Sequence, residues 1–120
     1  MMSLPWRDLA VKTIGPEDKI EKTYSCSFDK QNGYLCLGRN KMVFVSVKGF
    51  LRKSYDVVLD ASYSDIKEVK LASRFRIDLN YNDKVHSIET SDVAAKVIVQ
   101  GLEEVTKAST IQPDITFSGL

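Results

Sequence analysis

Apolar and polar residues alternate along most of the chain from Ile20 to Ile88, and the period changes after Ser91. In the first alternating stretch Ile20, Tyr24, Cys26 and Phe28 are apolar, while Glu21, Thr23, Ser25 and Ser27 are polar. A period of two gives a strand with one wet face. The stretch GYLCLGRNKMVFVS, Gly33 to Ser46, then holds two apolar runs, Leu35 to Leu37 and Met42 to Val47, around Gly38, Arg39, Asn40 and Lys41. Its aromatic and β-branched residues suit a pleated surface and its Gly and Asn a tight turn, so it reads as the hairpin to which later strands are added. Met42 to Val47 is apolar on both sides of the pleat, as expected of a strand covered on each face.

Asn32 and Gly33 are the favoured pair of a type I′ turn. A hairpin centred there sets Phe28 opposite Leu37 and puts Tyr24, Cys26 and Phe28 on the face of Leu35 and Leu37. A slip of one residue would turn those apolar groups against the serines. This reading predicts no Cys26–Cys36 disulfide. After the loop from Lys48 to Lys53, alternation resumes through Tyr55, Val57 and Leu59. Further strands are expected from Ile66 to Leu71, through Phe75, Ile77, Leu79 and Tyr81, and, past an Asn82–Asp83 turn, from Val85 to Ile88. About seven short strands at regular spacing point to a barrel or sandwich.

Ser91 and Asp92 are N-cap residue types, and Ala94, Val97, Ile98, Gly101, Leu102 and Val105 then recur at helical spacing. This predicts an amphipathic helix of about four turns ending near Lys107, with Asp92 complementing its dipole. Before the strands, Pro5 opens a short helix through Trp6, Leu9 and Ala10, and Gly15 with Pro16 ends it. Trp6 and Leu9 are expected to cover an open edge or end of the sheet. The segment from Ser109 to Leu120, with Ile115, Thr116 and Phe117, reads as an extended arm pairing with a sheet edge. The chain therefore divides into an extension (1–18), a domain (19–108) and a tail (109–120).

The chain of 120 residues is 43% hydrophobic and 28% charged, the composition of one ordinary globular domain. Its 17 Lys and Arg against 16 Asp and Glu give a net charge of +1, which argues against a non-specific nucleic-acid binder. No apolar run approaches the roughly 18 to 20 residues of a membrane span, and Pro5, Trp6, Arg7 and Asp8 stand where a signal peptide needs an apolar core. Cytoplasmic residence, with peripheral membrane contact, is the expectation.

Signs of catalysis are few. His86 is the sole histidine and lies in an alternating strand; Asp56, Asp60, Asp65 and Asp83 fall near turns, where Asp is common. No His or Cys pair has metal-ligand spacing and no Gly-rich phosphate loop occurs, so neither enzyme, metal nor cofactor is expected.

Gly33, Leu35, Leu37, Asn40, Lys41, Met42, Phe44 and Ser46 resemble the opening of bacterial pleckstrin-homology (PH) and GRAM-type domains. Tyr63, Asp65, Ile66, Lys67 and Val69 are similar to the aromatic-x-acidic-Ile segment that opens the fifth strand of that family. The likeness spans about residues 20 to 107 and departs from the family at Gly38 and Arg39, where threonine and asparagine are usual. It implies a mainly β fold, α+β by count: about seven antiparallel strands in a partly open PH-like barrel or sandwich, capped by one C-terminal helix. Members bind phosphoinositide headgroups, membranes, or peptides along a sheet edge.

The leading candidate surface is Lys48, Phe50, Leu51, Arg52 and Lys53, whose apolar pair would enter a membrane interface while the cations meet anionic lipid. The alternative is that Phe50 folds back onto the core or a partner. Arg74 and Arg76, with Arg39 and Lys41 nearby in character, form a second basic group, the first two expected on one strand face where they could cradle a phosphate. The functional expectation is thus a non-catalytic module that recognises a membrane surface or a protein partner through loops and a sheet edge. A homo-oligomer built by strand addition at an exposed edge is another. A small enzyme or carrier using the barrel interior is a further alternative, with a deep polar pocket as its mark.

Overall fold

The computed structural model describes residues 4–109 and 113–119. Helix α1 (Pro5–Ile14) begins with Pro at its start, where the fixed φ helps and the missing N–H costs nothing, and ends at Gly15, whose φ of +95° leaves the helical region. Eight strands follow: β1 (Lys22–Phe28), β2 (Gln31–Leu37), β3 (Lys41–Lys48), β4 (Ser54–Ser62), β5 (Ile66–Ser73), β6 (Arg76–Tyr81), β7 (Lys84–Glu89) and, beyond helix α2 (Ala95–Lys107), β8 (Thr116–Ser118). They form one sheet in the order β4-β3-β2-β1-β7-β6-β5-β8, antiparallel except for the parallel β5–β8 pair. The sheet is open rather than closed into a barrel, and the described residues form the seven strands expected before α2 and one more after it. The extra strand is the arm expected to find a sheet edge.

The two halves of the sheet meet at a narrow seam. β1 pairs with β7 only through Ser27↔Glu89 and Phe28↔Ile88, whereas it pairs with β2 along its whole length. The main core is drawn from both halves, including Phe28, Leu35, Phe44, Leu59, Ile77 and Ile88, and from α2 through Ile98, Val99, Leu102 and Val105. Gly101 lets α2 approach β1: a Cβ there would fall 2.1 Å from the Tyr24 hydroxyl. Lys22 on β1 pairs with Glu104 on α2 at 2.9 Å.

A second, smaller core lies on the other face of β2, β3 and β4. Ala10 and Ile14 of α1 cover Cys36, Val43 and Val45, and Trp6 stacks on Tyr34 with ring centroids 4.0 Å apart. β3 is thus apolar on both sides for a reason: Met42 and Phe44 face the main core, Val43 and Val45 face α1. Trp6 and Leu9 therefore cover a sheet face, not an edge or end, because the outer side of β2–β4 is itself apolar.

Four local expectations are corrected. The β1–β2 turn is at Asp29–Lys30, with φ of 47° and 70°, so Phe28 opposes Gln31 rather than Leu37. The shift is by an even number of residues, so Tyr24, Cys26 and Phe28 still share the face of Leu35. Gly33 serves instead as a strand residue in a tight place, since a Cβ would lie 2.0 Å from the Val45 carbonyl oxygen. Asp29 makes its own turn favourable: its carboxylate accepts from the Ser87 N–H at 2.9 Å and sits 2.7 Å from His86 Nδ1.

In β4 the alternation breaks at a bulge, where Phe44↔Leu59 is followed by Val45↔Val57. Val57 and Tyr55 consequently face α1 while Leu59 faces the main core. Helix α2 starts at Ala95, later than the Ser91–Asp92 cap predicts, with Ala94 as its N-cap and no acidic residue in its first turn. The Ala95 N–H is bonded instead to the Arg74 carbonyl at 2.7 Å, so tertiary contact supplies what a side-chain cap would have given. Val97, placed on the buried stripe by spacing, is exposed, and Val99 is buried in its stead.

Cys26 and Cys36 are free thiols in the two different cores. Burial pushes the Cys26 thiol up to about 12 and raises that of Cys36 too. The Tyr63-Asp65-Ile66 segment forms a 3-10 turn at Tyr63–Asp65 leading into β5. Tyr63 is buried and donates its hydroxyl to the Gly38 carbonyl at 2.7 Å, tying this turn to the β2–β3 connection.

Candidate functional site

The loop joining β3 to β4 is residues 49–53, flanked by the pair Lys48↔Ser54. Its tightness comes from Gly49, whose φ is +99° and where a Cβ would lie 2.1 Å from the Arg52 carbonyl oxygen. An L side chain would fit neither that conformation nor that space. With the loop closed against its own backbone, Phe50 and Leu51 stand at the apex, 93% and 92% exposed. Phe50 does not fold back onto the core.

Lys48, Arg52 and Lys53 flank that apex and are exposed; none takes part in an ion pair among the described residues. The five residues picked out from sequence are therefore brought together as one tip. Adjacent apolar side chains left in water and rimmed by polar residues are the kind of patch that marks an interaction site.

The antiparallel registers bring one more cation to the same end of the sheet. Gly33 of β2 pairs with Ser46 of β3, so the start of β2, and with it the Asp29–Lys30 turn, points the same way as the end of β3. Lys30 is exposed there. It escapes the sequence reading because the type I′ signal of Asn32–Gly33 places the turn three residues late and leaves Lys30 inside a strand. Leu4, at the start of α1 and 50% exposed, also lies toward this end, since Trp6 sits against Tyr34 while Ile14 reaches the Asn40–Lys41 end. Carboxylates at this end include Asp56, exposed beside Ser46, Glu89, exposed and opposite Ser27 of β1, and Asp29, engaged by His86 and Ser87.

Arg74 and Arg76 are not brought together on a strand face. Arg74 is in the β5–β6 turn, its guanidinium carbon 5.4 Å from the Phe75 ring centroid, and Arg76 begins β6 with its Nε 3.4 Å from Asp78. Arg39 and Lys41 are at the opposite end of β3 from the tip, bonded to Glu21 at 3.1 Å and Asp60 at 3.0 Å. That end holds a cleft of about 400 Å³ lined by four carboxylates, Glu17, Asp18, Asp60 and Asp65, and one ammonium, Lys41. Asp18 is committed to the backbone, accepting from the N–H groups of Arg39 at 2.8 Å and Asn40 at 3.1 Å. His86 lies over Phe28, centroids 5.0 Å apart, as a structural partner of Asp29.

Among the described residues no group of three or more His, Cys, Asp or Glu is placed to hold a metal ion. No helix among them is long and apolar enough to cross a membrane.

The sequence matches no protein-family model and no curated protein. Solved structures do resemble the fold. The hSac2 domain of the human phosphoinositide phosphatase Sac2 superposes with a TM-score of 0.60 at 11% identity, over 95% of this chain and 86% of that one. The C-terminal domain of an unknown protein from Leishmania infantum gives 0.59 at 13% identity, over 83% and 90%. A chain of the Spt16D–Pob3N heterodimer gives 0.53 at 10% identity, over 82% of this chain and 54% of that one. At such identities the likeness concerns the fold alone. The Sac2 domain and Pob3N are PH-like folds, and the open sheet with its C-terminal helix is compatible with a PH-like sandwich.

Proposed function

We propose that this protein is a non-catalytic binding module of the PH/GRAM kind that attaches to an anionic membrane surface through the β3–β4 tip. The observation that carries the reading is the pairing of two almost fully exposed apolar residues, Phe50 and Leu51, with the flanking cations Lys48, Arg52 and Lys53. Apolar groups gain free energy at the acyl boundary, and each basic residue near an anionic leaflet adds about 1 kcal/mol. Lys30 on the neighbouring turn adds to that field. A cytoplasmic protein with peripheral membrane contact is the corresponding location.

Co-sedimentation with phosphatidylserine-containing vesicles tests this. The wild type is expected to sediment with them, and the double variant Phe50→Ala, Arg52→Ala to remain in the supernatant. Equal sedimentation of both would remove the tip from any role in membrane attachment.

A protein partner is the second reading, favoured by the same apolar pair: a complementary acidic groove on another chain would cover Phe50 and Leu51 equally well. Size-exclusion chromatography with light scattering separates one version of it, because a concentration-dependent dimer abolished by Phe50→Ala would mean that the tip meets a second copy.

A further inference from the structure

Resting on the membrane reading, we infer that the tip enters the bilayer interface as a wedge and responds to anionic charge density, without selecting one phosphorylated headgroup. A headgroup site needs donors converging on a concavity. The tip loop leaves no room within itself, since a Cβ on Gly49 would lie 2.1 Å from the Arg52 carbonyl oxygen. The clefts of about 400 Å³ at Asp18–Asp60 and beside the Asn82–Asp83 turn are lined by no residue of the tip. Phe50 and Leu51 occupy the apex, so the first part of the tip to reach a membrane is hydrocarbon.

The distribution of charge then sets the orientation. The tip end carries Lys30, Lys48, Arg52 and Lys53 against Asp29, Asp56 and Glu89, whereas the far end of β3 carries Glu17, Asp18, Glu21, Asp60 and Asp65 against Lys19, Arg39 and Lys41. The eight residues of β3 separate these ends by about 25 Å. A surface potential that decays over about 8–10 Å attracts the basic end and scarcely reaches the acidic one when the tip points down, and repels the protein when it is inverted. A net charge of +1 is therefore no obstacle to electrostatic attachment. In this pose β3 and β4 stand steeply to the bilayer.

The experiment compares vesicles of phosphatidylcholine alone, with phosphatidylserine, and with phosphatidylinositol bisphosphate, the last two matched in surface potential. Binding to the matched pair is expected to agree within about twofold and to be lost on phosphatidylcholine alone. Arg52→Lys, which keeps the charge and removes the forked donor, is expected to bind as the wild type does, and Arg52→Gln about fivefold more weakly. A preference of about tenfold for the phosphoinositide at matched potential, or a loss of binding in Arg52→Lys, would overturn the inference and leave the membrane reading standing. Equal binding to neutral vesicles would overturn the charge dependence. Failure to bind any anionic vesicle would overturn both.

Discussion

Replacing Phe50 and Leu51 together by alanine separates a role in binding from a role in folding. Both side chains are more than nine-tenths exposed, so their removal takes almost no apolar surface out of the folded core. Stability is expected to change by less than about 0.5 kcal/mol, the range of ordinary surface substitutions. Full burial of a Phe or Leu side chain is worth about 1.5–3 kcal/mol, and insertion at an interface realises part of that. Taking about half for each gives a loss of about 1.5–3 kcal/mol in membrane affinity, or about 10- to 150-fold. Urea denaturation measures the first quantity and vesicle titration the second. An unchanged affinity would refute the insertion argument. A stability loss above about 1 kcal/mol would show instead that these residues pack against the protein in solution.

Other consequences follow from the fold. Gly33→Ala forces a Cβ to within 2.0 Å of the Val45 oxygen and is expected to cost about 2–3 kcal/mol in thermal or urea unfolding, because the obstacle is backbone and cannot swing aside. Tyr63→Phe removes the 2.7 Å bond to the Gly38 carbonyl from a buried site, with an expected loss of about 1–2 kcal/mol by the same measurement. Alkaline pH should destabilise the protein through Cys26: the unfolded thiol ionises near 9 and the folded one only at about 12, so its contribution is complete below pH 9 and declines as pH rises toward 12. The expected slope from this group is about 1.4 kcal/mol per pH unit across that window, and Cys26→Ala should flatten it.

Most of the architecture was readable because it depends on periodicity and on turn residues. The two faces of β3 could be assigned from Met42 to Val47 alone, since only a strand covered on both sides can be apolar throughout. Asn82–Asp83 proved to be a turn with positive φ at both residues, as its composition suggested. What was hidden depends on contacts between distant segments. Asn32–Gly33 looks locally like the better turn, but Gly33 is spent on the approach to β3, and the Asp29–Lys30 turn is secured by His86 and Ser87, more than fifty residues away. The start of α2 is likewise decided by the Arg74 carbonyl rather than by Ser91 or Asp92. The bulge at Val57–Leu59 exists because β4 must serve both cores.

The candidate site shows the same division. Its five contiguous residues could be found from composition, because cations around an apolar pair are conspicuous in a chain of net charge +1. Lys30 could not, as its place beside the tip follows from a register set elsewhere. Arg74 and Arg76 illustrate the converse: two residues apart in sequence, they are separated by the start of β6 and engaged with Phe75 and Asp78.

The insertion of the β3–β4 tip is tested most directly by the fluorescence of a Phe50→Trp variant mixed with anionic vesicles, read as the difference from the wild type, whose Trp6 is held against Tyr34. Emission from the new indole is expected to shift to shorter wavelength and to be quenched by lipids brominated along the acyl chain. An emission that stays where it is in water and is untouched by those lipids, while the protein is bound to the vesicles, would contradict it.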